Sequence, residues 1–340
     1  MTAPLTGSWA GQNASASNLD GTTHGSGTTA ERTALVGTAW PVNRPFYDSD
    51  LDCYFYNSGS AGSCAWTETT FPSSSSLPGS PVDAQFHRLT SNPFSLCQYD
   101  ATETKWWSIS RGMWVPDGYD TFTADGWTDN DSAKIGVNTG NKRLEFTYDM
   151  TDSSNDATSK HITALSNSKW TLEFEIQFST LTVTTSAVRN LFVGLSDLPS
   201  STAYGSNQDS IGVIFQIGTV NTQIFSSDSD GASMATNGTA ICTTNGMRVG
   251  ESYFVRIVRR STTEYAVYVF LNSKMSIPHQ SPAASLYLQQ QFVVASTTTA
   301  LDELCVKPLA VGAIGGNLTG WIRNMKYWDA VDRSTYDGAL

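Results

Sequence analysis

The chain has 340 residues, of which only 15% are charged, and its 20 Lys and Arg against 31 Asp and Glu leave a formal net charge of −11. Hydrophobic residues make up 39% and aromatics 11%, enough apolar surface to fill a sizeable core, so general disorder is excluded. An acidic chain without a basic stripe is not expected to bind nucleic acid or an anionic bilayer, and no apolar run is long enough for a membrane-spanning helix.

Residues 1–40 are rich in Gly, Ser, Thr and Ala and read as an extended low-complexity arm. Ordering such a segment costs about 1 to 2 kcal/mol per residue in backbone entropy. Trp9, Leu19, Leu35 and Trp40 are too sparse to offset this by packing on one another, so partner contacts are expected. The start of the chain has neither the positive nor the apolar region of a secretory signal, which fits a virion or an extracellular surface reached by another route. Residues 41–118 alternate short aromatic runs with breaks such as FPSSSSLPGSP, the pattern of a small, loop-rich β region. Cys53 and Cys64 flank a turn-rich stretch and could close a disulfide loop in an oxidising compartment; small buried hydrophobes are the other reading. With five cysteines and no C-x-x-C pair, a structural zinc site is not expected.

The turn VPDGYD (115–120) marks a boundary, and residues 119–340 read as one domain. In WTLEFEIQF (170–178), Trp170, Leu172, Phe174, Ile176 and Phe178 share one face, while Thr171, Glu173, Glu175 and Gln177 share the other. NLFVGLSD (190–197), IGVIFQIG (211–218), TQIFSSDS (222–229), a hairpin over 253–272 turning near Ser261–Thr263, LAVGAIGG (309–316) and GWIRNMKYWDA (320–330) continue the strand series. The only helical turns expected lie in SLYLQQQF (285–292). Strands of this length joined by turns must pair antiparallel and stack as two sheets. Their order over about 121–335 resembles the concanavalin A-like lectin/glucanase superfamily in its laminin-G-like form. The resemblance implies an all-β, antiparallel jelly-roll β-sandwich, preceded here by the arm and the small β region.

Glycoside hydrolases of that superfamily carry a strand with E-x-D-x-x-E, which sets two carboxylates about 5 Å apart on one substrate. Glu173 and Glu175 alternate correctly, but Gln177 and Ser179 follow where acids would continue, and a solvated or cross-strand-paired polar face explains the pair equally. The lyases of the fold carry a Gln-Ile-His strand; here Phe225 follows Gln223 and Ile224, which disfavours lyase chemistry. Acidic turns at Asp48/Asp50/Asp52, Asp125/Asp129/Asp131 and above all Asp228/Asp230 offer the oxygens that Ca²⁺ takes, the one cofactor the chain could hold, although Asx turns account for the same residues. Trp106, Trp107, Trp114 and Trp127 cluster near the boundary and are candidate stacking platforms for a sugar, or packing residues. With no complete catalytic constellation, the expected function is a non-enzymatic structural protein of a larger assembly such as a virion, tail fibre or surface filament. It would form a homo-oligomer through residues 1–118 and attach to a host-surface glycan through its lectin-like domain. The alternatives are a secreted polysaccharide-degrading enzyme using Glu173 and Glu175, and a free carbohydrate-binding lectin.

Overall fold

The computed structural model describes residues 25–35, 45–48, 53–57, 63, 65–68, 73–74, 76–81, 85–89, 96–108, 113–129, 134–148, 157–183, 188–198, 208–217, 222–232, 235–242, 246–271, 273, 290–293, 298–311 and 316–331. The chain divides into two compact units, one reaching Val115 and the other spanning Pro116–Gly338. No helix among the described residues is long and apolar enough to cross a membrane.

The first unit holds two small sheets. One has strands Gly25–Gly27, Pro45–Asp48, Cys53–Asn57 and Trp66–Glu68; the other has Ser73–Ser74, Phe86–Leu89, Leu96–Asp100, Lys105–Ser108 and Met113–Trp114. The described part of the segment expected as an extended arm is instead folded. Gly25–Gly27 pairs in parallel with Pro45–Asp48, and Thr29–Ala34 is a helix. The helix starts at a capping box: Glu31 N donates to Thr28 Oγ1 at 3.2 Å, and Thr28 N donates to Glu31 Oε2 at 2.7 Å. Arg32 stacks over Phe55 at 3.5 Å and donates to the buried Asp48 at 2.8 Å, which also accepts from Thr29 Oγ1. Asp48 is therefore an ion-pair partner on a strand, not a loop ligand. Cys53 lies on strand Cys53–Asn57, while Cys64 falls outside the described residues, so the expected disulfide does too.

The second unit is an all-β sandwich of antiparallel sheets. The larger sheet runs Ile135–Asn138, Arg143–Tyr148, Gly316–Asp329, Trp170–Val183, Ser252–Ser261, Glu264–Phe270 and Gln290–Val293, with Gly118–Asp120 also paired on Gly316–Asp329. The second sheet runs Thr128–Asp129, Thr158–His161, Glu303–Val311, Val188–Ser196, Gln208–Ile217, Thr222–Ala232 and Ala235–Cys242. Gln290–Val293 is a strand where helical turns were expected, and the strand sought at 309–316 runs from Glu303 to Val311.

Period-2 alternation builds the core. Trp170, Leu172, Phe174, Ile176 and Phe178 are all buried and pack with Val255, Ile257, Val267 and Ile322 of the same sheet against Leu191, Val193, Val213, Phe215 and Val306 of the other. Phe215 reaches across the sandwich to Phe178 at 5.5 Å and to Phe174 at 6.5 Å. Gly320 allows the close approach of the two longest strands, since a Cβ there would lie 2.1 Å from the Gln177 carbonyl oxygen.

Candidate functional site

Because one face of each strand goes to the core, the other face of the large sheet collects the alternate residues. On Trp170–Val183 these are Thr171, Glu173, Glu175 and Gln177. Register places Glu173 between Arg256 and Lys326, Glu175 between Phe254 and Arg323, and Gln177 between Ser252 and Trp321. The two glutamates thus share a face, as their spacing requires. They do not lie open to water, however: both are 3% exposed and held by cross-strand ion pairs.

Arg256 Nε donates to Glu173 Oε1 at 2.7 Å, with both side chains buried. Arg323 grips Glu175 from the opposite side, Nε to Oε2 and Nη2 to Oε1, each at 2.8 Å. Asn324 Nδ2 adds a third donor to Glu175 at 3.3 Å, while Asn324 Oδ1 accepts from the Tyr119 hydroxyl at 3.3 Å. This convergence depends on a β-bulge. Between Glu173 and Glu175 the partner strand carries one extra residue, and Asn324 takes a left-handed φ of 55°. The Arg323 guanidinium is held above its usual pKa by the hydrogen bonds and charge of Glu175, against the effect of burial.

Aromatic and cationic groups surround the carboxylates. Arg323 lies 4.7 Å from the Trp321 ring centroid and Arg143 5.7 Å from it, while Arg143 Nε donates to Glu145 at 2.7 Å. Burial raises the Glu145 pKa, but hydrogen bonds from Arg143, Asn138 and Asn141 outweigh it and the net shift is downward. Arg256 stands 5.7 Å from the Phe270 ring, Lys326 5.3 Å from Tyr119, and Arg260 donates to Tyr268. The sequence reading missed Arg143, Arg256, Tyr268, Trp321, Arg323 and Asn324. The signal was present, since the alternation that isolates Glu173 and Glu175 also isolates Arg256 in YFVRIVRR and Trp321 with Arg323 in WIRNMK.

The four candidate tryptophans do not form a sugar platform. Trp106, Trp107, Trp114 and Trp127 are 4–8% exposed. Trp107 meets Trp114 edge-on at 5.1 Å, Trp106 packs on Tyr99 at 5.3 Å, and Trp127 stacks on Phe122 at 5.8 Å inside the sandwich core. Trp127 also donates from Nε1 to Asp120 at 2.9 Å, so its polar edge is spent on structure.

Of the acidic segments expected as turns, Asp125 lies in one and accepts from the Trp127 N–H at 3.2 Å, whereas Asp129, Asp228 and Asp230 lie on strands. Asp228 and Asp230 lie on Thr222–Ala232, and Asp228 accepts from the Tyr265 hydroxyl at 3.3 Å; the Asp230 side chain is outside the described residues. Asp129 lies on Thr128–Asp129, where burial raises its pKa against a short hydrogen bond from Thr158. Among the described residues, the side chains grouped closely enough for a metal ion are His161, Asp302 and Glu303, with ligand atoms within 4.8 Å of one another and His161 Nδ1 already 3.0 Å from Glu303 Oε1.

No protein-family model and no curated protein matches the chain. Among solved structures, an alginate lyase of polysaccharide lyase family 7 is 9% identical, covering 66% of this chain and 93% of its own, with a TM-score of 0.35. An engineered GH43 glycoside hydrolase with endo-xylanase and exo-arabinofuranosidase activity is 12% identical over 85% of this chain and 64% of its own, with a TM-score of 0.37. The CBM2 module of the evolved Dit protein of Lactobacillus casei BL23 phage J-1 is 11% identical over 64% of this chain and 96% of its own, with a TM-score of 0.41. Likeness at this level concerns the β-sandwich alone. Several of these neighbours are polysaccharide lyases or glycoside hydrolases, in contrast with the expectation of a non-enzymatic chain.

Proposed function

We propose that the chain degrades polysaccharide at the outer face of the large sheet, with Glu173 and Glu175 as its carboxylate pair. The observation that supports this reading is that the two carboxylates share one face and are each fixed by a guanidinium from the opposite neighbouring strand. Cleavage of a glycosidic bond develops positive charge on the sugar ring, which anchored carboxylates stabilise electrostatically. Side chains held this firmly lose little entropy in the transition state. An extracellular or virion surface, where polysaccharide is met, is the location proposed with this reading.

The test is a panel of neutral and acidic polysaccharides assayed for new reducing ends and unsaturated ends. Turnover that disappears in Glu173→Gln or Glu175→Gln supports the reading. A folded protein that releases no ends from any of them, or variants as active as the wild type, overturns it.

A further inference from the structure

The arrangement of cations on this face goes further than the carboxylate pair and, resting on the reading of the face as a glycan site, specifies its substrate class. Leu144 pairs with Ile322 across the adjacent strands Arg143–Tyr148 and Gly316–Asp329, so Arg143 and Arg323, one residue beyond on each, lie side by side on the outer face. Like charges placed opposite each other across a ladder are destabilising. Here both guanidinium groups also lie on one indole, that of Trp321. Their clustering does not reflect general basicity, because the chain carries a net charge of −11.

Each guanidinium is anchored through the same edge. Arg323 uses Nε and Nη2 on Glu175, and Arg143 uses Nε and Nη2 on Glu145 Oε1, at 2.7 and 2.6 Å. Among the described residues none accepts from Nη1 of either. A guanidinium bonded along its Nε–Nη2 edge still has N–H groups along its Nη1–Nη2 edge, and two in-plane N–H groups match the two oxygens of a carboxylate. The Arg323 side chain is 47% exposed and that of Arg143 33%, so part of each remains open to solvent while its anchor holds it still.

We propose that the glycan taken by this face carries carboxylates, as uronate units, and that Arg143 and Arg323 receive them over Trp321. A bound carboxylate relieves the repulsion between the two cations, and two pre-positioned forks favour it over an uncharged ring.

Affinity electrophoresis of the full chain tests this in gels containing polygalacturonate, its methyl ester, or dextran sulfate. Polygalacturonate is expected to retard the wild type and the methyl ester not to. Arg143→Gln, whose partner Glu145 is solvent-accessible, weakens retention about tenfold, the loss expected for one charge-assisted contact. Arg323→Lys keeps a cation for the buried Glu175 but removes the fork, and weakens retention likewise. Equal retardation by the methyl ester, stronger retention by dextran sulfate, or an unchanged Arg143→Gln variant overturns the assignment. Retention of polygalacturonate by a protein that degrades nothing supports this proposal while defeating the enzymatic one. Degradation of a neutral glucan without polygalacturonate retention does the reverse.

Discussion

Arg323 meets both oxygens of Glu175, and the two partners differ sharply in exposure: the Glu175 side chain is 4% exposed and that of Arg323 47%. Removing the arginine strands a buried anion, whereas neutralising the glutamate leaves a cation that water can solvate. Arg323→Ala is therefore expected to destabilise the sandwich by about 3 to 5 kcal/mol, and Glu175→Gln by about 1 kcal/mol. Denaturant melts of the two variants check the asymmetry; equal losses would show that the pair is held by geometry rather than by burial of one charge.

Trp170 fills the core end of the same strand with full burial, and its indole Nε1 finds no hydrogen-bond partner among the described residues. Two effects then compete on substitution. Trp170→Ala opens a large cavity and should cost about 3 to 5 kcal/mol. Trp170→Phe opens a smaller one and removes a buried unsatisfied donor, so its cost should stay near 1 to 2 kcal/mol, about as much as a modest cavity alone. A cost for Trp170→Phe well above this range in thermal melts would mean that the indole nitrogen is satisfied in solution.

Much of the sandwich was legible because its strands have one buried face. The five apolar residues from Trp170 to Phe178 announce both the strand and the side that meets the core. Side-chain partners were less legible, since pairing is set by register between strands far apart in sequence: Glu173 finds Arg256 and Glu175 finds Arg323 across 83 and 148 positions. The bulge at Asn324 has no signature in composition at all. Residues 25–35 fold where an extended arm was expected, for a different reason. Thr28 and Glu31 form a capping-box pattern that was visible, but the surrounding Gly and Ser masked it.

Asp197 links stability to pH. Burial raises its pKa, repulsion from Asp209 and Asp302 adds to this, and backbone hydrogen bonds oppose it in part. A carboxyl with a folded pKa above its unfolded value holds its proton more tightly in the native state. Its contribution is favourable below the unfolded pKa of about 4 and is lost as pH rises through the folded value. Asp197→Asn keeps the acceptor that the Asp209 N–H uses at 2.9 Å but removes the charge. The variant should melt higher than the wild type at pH 7, with the difference shrinking as pH falls toward the ordinary carboxylate range. A lower melting temperature at pH 7 would show that the ionised form is stabilised there by a group outside this trio.

Asn324 is the residue on which the site's geometry turns. Its φ of 55° is left-handed, a conformation that costs most L-residues about 1 to 2 kcal/mol and that Asn and Gly adopt readily. The extra residue at this point keeps Met325 in the core and Lys326 on the outer face, while bringing Arg323 and Asn324 together onto Glu175. Two substitutions separate its backbone from its side chain. Asn324→Gly keeps the bulge and removes the contacts to Glu175 and Tyr119, so the fold should stay within about 1 kcal/mol of the wild type. Asn324→Val opposes the bulge itself and should cost about 2 kcal/mol, because a β-branched side chain resists this backbone and the hydrogen bonds are also lost. The distinguishing measurement is polygalacturonate retention alongside the melt. The valine variant should lose retention as Arg323 moves off Glu175, while the glycine variant should keep most of it. Loss of retention in both, with only the valine variant destabilised, would place the Asn324 amide itself in the binding site rather than beneath it.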